Sequence, residues 1–297
     1  MDLTLFTIPK PFCGHAGIIQ TNAIRSWTLL EPAPQIILLG EEEGARQAAQ
    51  QFGLLHSPHV ARNEFGTPLL DSLFDEAQRL ADHEWLCFVN ADIILLADFL
   101  PAVERVRRGM DRSLMIGRRW DLDVTGHMAF EAGWENKLRA EVARRGKLLP
   151  AWGSDYFVFP KGLWQSIPPF AIGRLAYDNW LFFGALRSGA PLVDATTAVM
   201  AVHQNHDYGK LGSRLDMRRS PEARRNLELS TRDKGCPYVF SIKDATHALS
   251  PAALRRRRTH ILRKWLWKSS RYWPVNRLYG LYMGLKRILR LTYAWQR

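Results

Sequence analysis

The sequence predicts an α/β fold, a doubly wound and mostly parallel sheet, and three observations predict it. Short apolar runs recur at Leu3-Thr4-Leu5-Phe6-Thr7-Ile8, Gln35-Ile36-Ile37-Leu38-Leu39-Gly40 and Trp85-Leu86-Cys87-Phe88-Val89. Segments with helical spacing lie between these runs, as βαβ units require. The third run has no polar alternation, which marks a strand buried on both faces.

The elements follow in order. Residues 3–8 form the first strand, closed by Pro9. A helix over 23–30 stops near Pro32, because proline cannot continue it. The β-branched run 35–40 is the second strand. A helix over 42–52 ends on Gly53, a residue suited to a left-handed C-cap. Residues 54–57 make a short third strand. Leu69, Leu73, Ala77 and Leu80 fall at helical spacing and predict a helix over 68–81. The buried run 85–89 ends at Asn90-Ala91-Asp92, and a helix over 99–108 follows.

Beyond this point the spacing loosens. Strands are expected at 114–117, 156–159 and 192–202, with helices over 134–145 and 177–186. A short polar helix covers 222–229. The reading divides the chain into a main domain over 1–217, a connecting segment over 218–250 and a helical tail over 251–297.

Composition narrows the classes. The chain has 297 residues, enough for one large domain with a real core, and its 46% hydrophobic content excludes a disordered chain. Cys13, Cys87 and Cys236 are scattered with no CxxC pair, which fits a reducing cytosol better than a zinc knuckle or a secreted scaffold. No signal peptide or transmembrane segment is expected. The net charge of +12 is uneven. Of the 41 Lys and Arg, 13 fall in 251–297, which holds no acid; the other 28 face 29 Asp and Glu. The tail therefore carries the entire basic excess.

Four polar motifs interrupt the apolar frame. Asn90-Ala91-Asp92 closes a buried strand, where open parallel sheets place their ligands. A carboxylate there either meets a divalent cation or caps the next helix. Trp152-Gly153-Ser154-Asp155 leads a carboxylate into an aromatic strand, as a ligand loop or as a plain Asx turn. Tyr177-Asp178-Asn179-Trp180 opens a helix, where the dipole favours an ionised carboxylate able to serve as general base. His203-Gln204-Asn205-His206 follows a strand; its imidazoles suit a transition metal and lean toward Mn²⁺, or else are hydrogen-bonded structure.

In this order the motifs resemble the nucleotide-sugar glycosyltransferases of the GT-A fold, especially the inverting family 2-like group, over 3–208. The resemblance implies a Rossmann-like sheet and a divalent metal, Mn²⁺ or Mg²⁺, held by Asp92 with His203 or His206. It implies that Thr7, Pro9, Glu41 or Glu42, Asn63, Asn90, Asp92 and Arg118 or Arg119 bind the nucleotide-sugar. Asp178 would be the acceptor base, with Asp155 between donor sugar and acceptor. Two departures stand out: Asn90 replaces the first aspartate of the family's Asp-x-Asp motif, and Tyr177 replaces the glutamate that commonly precedes the base. The expected partners are a UDP-sugar or similar donor and a glycan or lipid-linked acceptor.

Arg255-Arg256-Arg257-Arg258 opens a tail rich in Trp, Tyr and basic residues. An amphipathic helix of this kind suits an anionic membrane surface, so a cytoplasmic enzyme attached to the inner leaflet is expected, with a helix that packs back on the domain or on a second subunit as the first alternative and nucleic acid a lesser one. Competing readings are a nucleotidyltransferase, disfavoured by one glycine and two prolines in 7–14, and a non-enzymatic membrane- or nucleic-acid-binding module acting through the tail.

Overall fold

A computed structural model describes residues 2–206, 220–234 and 239–258. The main sheet is built from β1 (Leu3–Thr7), β2 (Gln35–Leu39), β3 (Leu55–Ser57), β4 (Trp85–Val89), β6 (Leu114–Ile116), β9 (Tyr156–Pro160), β10 (Leu192–Asp194), β12 (His247–Leu249) and β13 (Leu254–Arg256). Its order is β13-β12-β10-β6-β9-β4-β1-β2-β3. All neighbours are parallel except around β9, which runs against β4 and β6, and at β13, which runs against β12. The predicted mostly parallel sheet is therefore present.

Helices cover both faces. They are α1 (Gly14–Thr28), α2 (Ala45–Phe52), α3 (Leu70–Leu80), α4 (Phe99–Gly109), α5 (Trp134–Arg145), α6 (Tyr177–Arg187) and α7 (Pro221–Lys234). The period-2 alternation of β4 sends Leu86 and Phe88 to a core with Phe74 of α3 and Leu181 of α6. It sends Cys87 and Val89 to a second core with Trp27 of α1 and Val103 of α4. Each fully buried ring contributes on the order of 2 kcal/mol, so a strand apolar on both faces is fixed in the middle of the sheet.

A second sheet, of order β5-β11-β7-β8, comprises β5 (Ile93–Ile94), β7 (Arg119–Leu122), β8 (Lys147–Leu148) and β11 (Ala201–Gln204). It lies beyond the carboxyl ends of β4 and β6 and frames the site. The sequence shows little of it, because β7 reads Arg-Trp-Asp-Leu and carries no apolar run.

Several expected boundaries move. Helix α1 starts at Gly14, nine residues before its expected start, because its buried face includes Gln20, Asn22 and Ser26 and looks polar in sequence. The expected strand over 192–202 is two strands in two sheets, parted by a turn after Asp194. The tail does not begin as a helix at Pro251: Leu254–Arg256 pair with β12 and extend the main sheet. Arg257 then closes an ion pair to Asp194 at 2.5 Å. The expected boundary at 217 and the tail from 259 onward lie outside the described residues. Among those described, no helix is long and apolar enough to cross a membrane.

Candidate active site

Strand register assembles the site. Val89 pairs with Tyr156, so the chain leaving β4 at Asn90 meets the chain entering β9 at Asp155. The Asn90 amide N–H donates to the Asp155 carbonyl at 2.9 Å, and Asn90 Nδ2 donates to Asp155 Oδ1 at 2.7 Å. Arg119 Nη1 donates to the same carboxylate oxygen at 2.7 Å, while its Nε donates to Asp121 Oδ1 at 2.8 Å. An aspartate at 90 would set two carboxylates at hydrogen-bond distance, which explains why an amide fits there.

The second sheet supplies the histidines. His203 of β11 lies opposite Ile93 on one side and Asp121 on the other. Its Nε2 stands 3.6 Å from Asp92 Oδ2, and His206 Nε2 stands 3.0 Å from the same oxygen. Lys10, in the loop after β1, brings its Nζ to 3.3 Å from His206 Nε2. Buried Gln20 of α1 holds that loop by accepting from the Lys10 backbone N–H at 2.6 Å and donating to the Lys10 carbonyl at 2.9 Å. Gln204, also buried, donates to the Asp92 carbonyl at 3.2 Å and accepts from Asn22.

The charges around Asp92 favour its ionised form. Burial alone would push the Asp92 carboxyl up, but His203, His206 and Lys10 outweigh it and hold the group well below the usual carboxylate range. Burial lowers the His203 imidazole, whereas Asp121 and Asp92 raise it to about 9. Asp92, His203 and His206 each offer a ligand atom within 4.8 Å of the others. The second oxygen of Asp92, Oδ1, is buried and has no hydrogen-bond partner. One carboxylate and two imidazole nitrogens fit a divalent transition ion such as Mn²⁺ better than Mg²⁺.

Asp178 lies in the first turn of α6, near enough to Asp155 to feel its charge. Its Oδ1 accepts the Asn179 backbone N–H at 2.8 Å. Burial and the charge of Asp155 raise its carboxyl to about 7. Gly153 packs against it so closely that a Cβ at 153 would collide with Asp178 Oδ2. Ala176, which precedes the helix, has φ of 82°, the one positive value at a non-glycine residue among those described. Such strain, about 1–2 kcal/mol, often accompanies functional geometry. Tyr177 is buried, and the surrounding carboxylates push its phenol up further, so it stays protonated.

The other expected residues are placed as follows. Thr7 is buried at the end of β1 with no partner for its hydroxyl, and Pro9 is buried beside it. Glu41 and Glu42 follow β2 and pair with Arg62 at 3.3 and 2.6 Å. Asn63 spends its side chain on its own loop and on Glu222 of α7 at 2.7 Å. The Arg118 guanidinium donates to the carbonyls of Leu149 and Leu148 at 2.5 and 3.4 Å. The structure thus gathers Asn90, Asp92, Asp155, His203 and His206, with Asp178 beside them, and leaves Asn63 and Arg118 outside the cluster. Arg119 enters it. Lys10 and Asp121 enter it too, with no motif to announce them; the one available signal was that Arg119 and Asp121 are two apart and so share a strand face.

No protein-family model and no curated protein sequence matches the chain. Solved structures do match. The Staphylococcus aureus TarS 1-349 structure in complex with UDP-GlcNAc aligns with TM-score 0.50 and 9% identity, covering 79% of this chain and 66% of that one. This chain is of the GT-A glycosyltransferase fold. A mannosyltransferase from Pyrobaculum calidifontis in complex with GDP-Man and Mn²⁺ aligns with TM-score 0.48 and 14% identity, over 78% of this chain and 64% of that one. Glucosyl-3-phosphoglycerate synthase from Mycobacterium tuberculosis, with Mg²⁺ and UDP, aligns with TM-score 0.49 and 15% identity, over 80% of each. The chain thus spans just under two thirds of the TarS and mannosyltransferase structures. Within the GT-A frame the Asn90–Asp92 turn sits where the sheet's parallel strands deliver ligands.

Proposed function

We propose that this chain is a metal-dependent glycosyltransferase that moves a sugar from a nucleoside-diphosphate sugar, UDP-linked by preference, to a hydroxyl acceptor with inversion at the anomeric carbon. One observation carries the reading. The metal-capable trio Asp92, His203 and His206 and the carboxylate Asp178 are linked through Asp155: Arg119 and Asn90 hold Asp155 beside the trio, and its charge acts on Asp178. The UDP-GlcNAc bound by a structure of the same fold supports a UDP-sugar donor.

The residues divide the work. Asp92 with His203 and His206 would hold a divalent ion, which supplies positive charge against the diphosphate as it leaves. Lys10 adds a second cation at the same edge, aimed by the Gln20 clamp. Glu41, Glu42 and Arg62 line the end of β2, where the base of a nucleotide would lie. Asp178 takes the proton of the acceptor hydroxyl while that oxygen bonds to the anomeric carbon. The bond from that carbon to the phosphate oxygen breaks, and its electron pair leaves with the diphosphate. A single displacement of this kind inverts the centre. A carboxyl raised to about 7 suits a base at neutral pH.

Arg119 bridges Asp155 and Asp121 and offsets part of their negative charge. The tail over 259–297, by its composition, would bring the enzyme to the anionic inner face of a membrane and to lipid-linked acceptors.

The test is a donor screen. The full chain with Mn²⁺ is incubated with UDP-glucose, UDP-GlcNAc and GDP-mannose, and release of the nucleoside diphosphate is followed. Release from at least one donor, abolished by chelation and by Asp92→Ala, is expected. Absence of release from every donor, together with no nucleotide binding, would overturn the assignment.

A further inference from the structure

We infer that Asn226 of α7 is a positioning residue for the acceptor base: it fixes the peptide between Leu175 and Ala176, and with it the backbone from which Asp178 projects; this rests on the function proposed above. Glu222 and Asn226 stand four residues apart, so they share one face of α7, and both are buried. A helix that only packed on the core would bury apolar residues there. Buried polar groups need partners, and these two find theirs in the loop that leads to Asp178.

The contacts are specific. Asn226 Oδ1 accepts the Ala171 backbone N–H at 2.9 Å. Its Nδ2 donates to the Ala171 carbonyl at 2.9 Å and to the Leu175 carbonyl at 3.1 Å. The oxygen and both amide hydrogens are thus spent on one loop. One turn earlier, Glu222 Oε2 accepts Arg174 Nε at 2.8 Å and Nη2 at 2.5 Å. Further along the helix, Asp233 accepts Trp180 Nε1 at 2.8 Å. Helix α7 therefore grips the chain at 171, 174, 175 and 180, on both sides of Asp178.

The grip matters because of Ala176. Its φ of 82° lies in the left-handed region, which a Cβ makes unfavourable. The Leu175 carbonyl belongs to the peptide plane whose rotation about the Ala176 N–Cα bond is that φ. A hydrogen bond to this carbonyl opposes relaxation of Ala176 to a negative φ. Such relaxation would swing the first turn of α6, which starts at Tyr177, and carry Asp178 with it. A base misplaced by about 1 Å loses on the order of 10²-fold in rate.

The test compares the wild type with Asn226→Ala and with Asn226→Ala combined with Ala176→Gly. The full chain with Mn²⁺ is given UDP-glucose, UDP-GlcNAc and GDP-mannose, with water standing in for the acceptor hydroxyl, and nucleoside diphosphate release is followed on the donors that the wild type cleaves. Asn226→Ala should lower kcat by about 10- to 100-fold, with the donor KM and the melting-temperature shift on adding UDP and Mn²⁺ unchanged. Glycine takes a positive φ without a Cβ clash, so the double variant should recover a large part of the lost kcat. A role in stability alone predicts a lower melting temperature with kcat kept below it, and no gain from the glycine. That result would overturn the inference and leave the donor reading standing. Should Asn226→Ala not fold, Asn226→Ser is read by the same criteria. If the wild type releases nothing from any of the three donors, this inference falls; if it also fails to bind UDP, the proposed function falls with it.

Discussion

His203 Nδ1 stands 3.1 Å from Asp121 Oδ1, while Nε2 of the same ring faces Asp92. A carboxylate behind an imidazole fixes its orientation and raises its basicity as a ligand. Asp121→Asn is therefore expected to weaken Mn²⁺ binding roughly 10- to 100-fold while leaving the fold intact. Isothermal titration of Mn²⁺ in the presence of UDP checks this; unchanged affinity would remove Asp121 from the site.

Asn90 donates to Asp155 through both its backbone and its side chain. Restoring the family's aspartate with Asn90→Asp would place like charges at that distance, with Arg119 to share between them. The variant should be less stable than the wild type by about 1–3 kcal/mol at neutral pH, and the gap should shrink at pH 5 as one carboxyl takes a proton. Thermal melts at the two pH values decide it.

Asp178 is raised to about 7, so activity should climb with pH through that region as the base ionises. Asp178→Asn should lower kcat by about 10²–10⁴-fold with UDP affinity unchanged. The sign for stability is opposite to that for activity. A carboxyl whose folded value exceeds its unfolded one stabilises the fold below the unfolded value, and this is lost as pH rises through the folded value. Asp178→Asn should therefore melt higher than the wild type at pH 8, with the difference vanishing near pH 4. Equal melting temperatures at pH 8 would show that the carboxylate is not held at a cost.

Strand β13 and the Arg257–Asp194 pair bind residues 254–257 to the main sheet. Deletion from 251 onward should lower the melting temperature by several degrees, since it exposes the edge of β12 and removes the half-buried Arg257 from Asp194. Deletion from 259 onward leaves every described contact in place and should not. Equal losses would show that the stabilising contacts lie beyond Arg258.

Much of the frame was legible. The continuous apolar run of β4 and the helical spacing of α3 and α5 are local signals, and the structure keeps them. Asn90, Asp92 and Asp155 could be located because each directly follows or precedes an apolar strand. What sequence hides is pairing at a distance. Asp121 reaches His203 only because β7 and β11 are parallel neighbours, and β7 is too polar to read as a strand. Lys10 acquires a role because Gln20, ten residues on, grips its backbone. Arg118 and Arg119 are indistinguishable in sequence; strand alternation turns one to loop carbonyls and the other to the carboxylates. Asn63 looked available as a ligand, yet its loop and Glu222 of a distant helix use its amide.

The most direct test of the central claim is Mn²⁺ binding followed by electron paramagnetic resonance, with and without UDP, in the wild type and in Asp92→Ala. The wild type should immobilise the ion, more tightly when UDP is present, and Asp92→Ala should leave it free in solution. Mn²⁺ held equally well by Asp92→Ala would contradict the account.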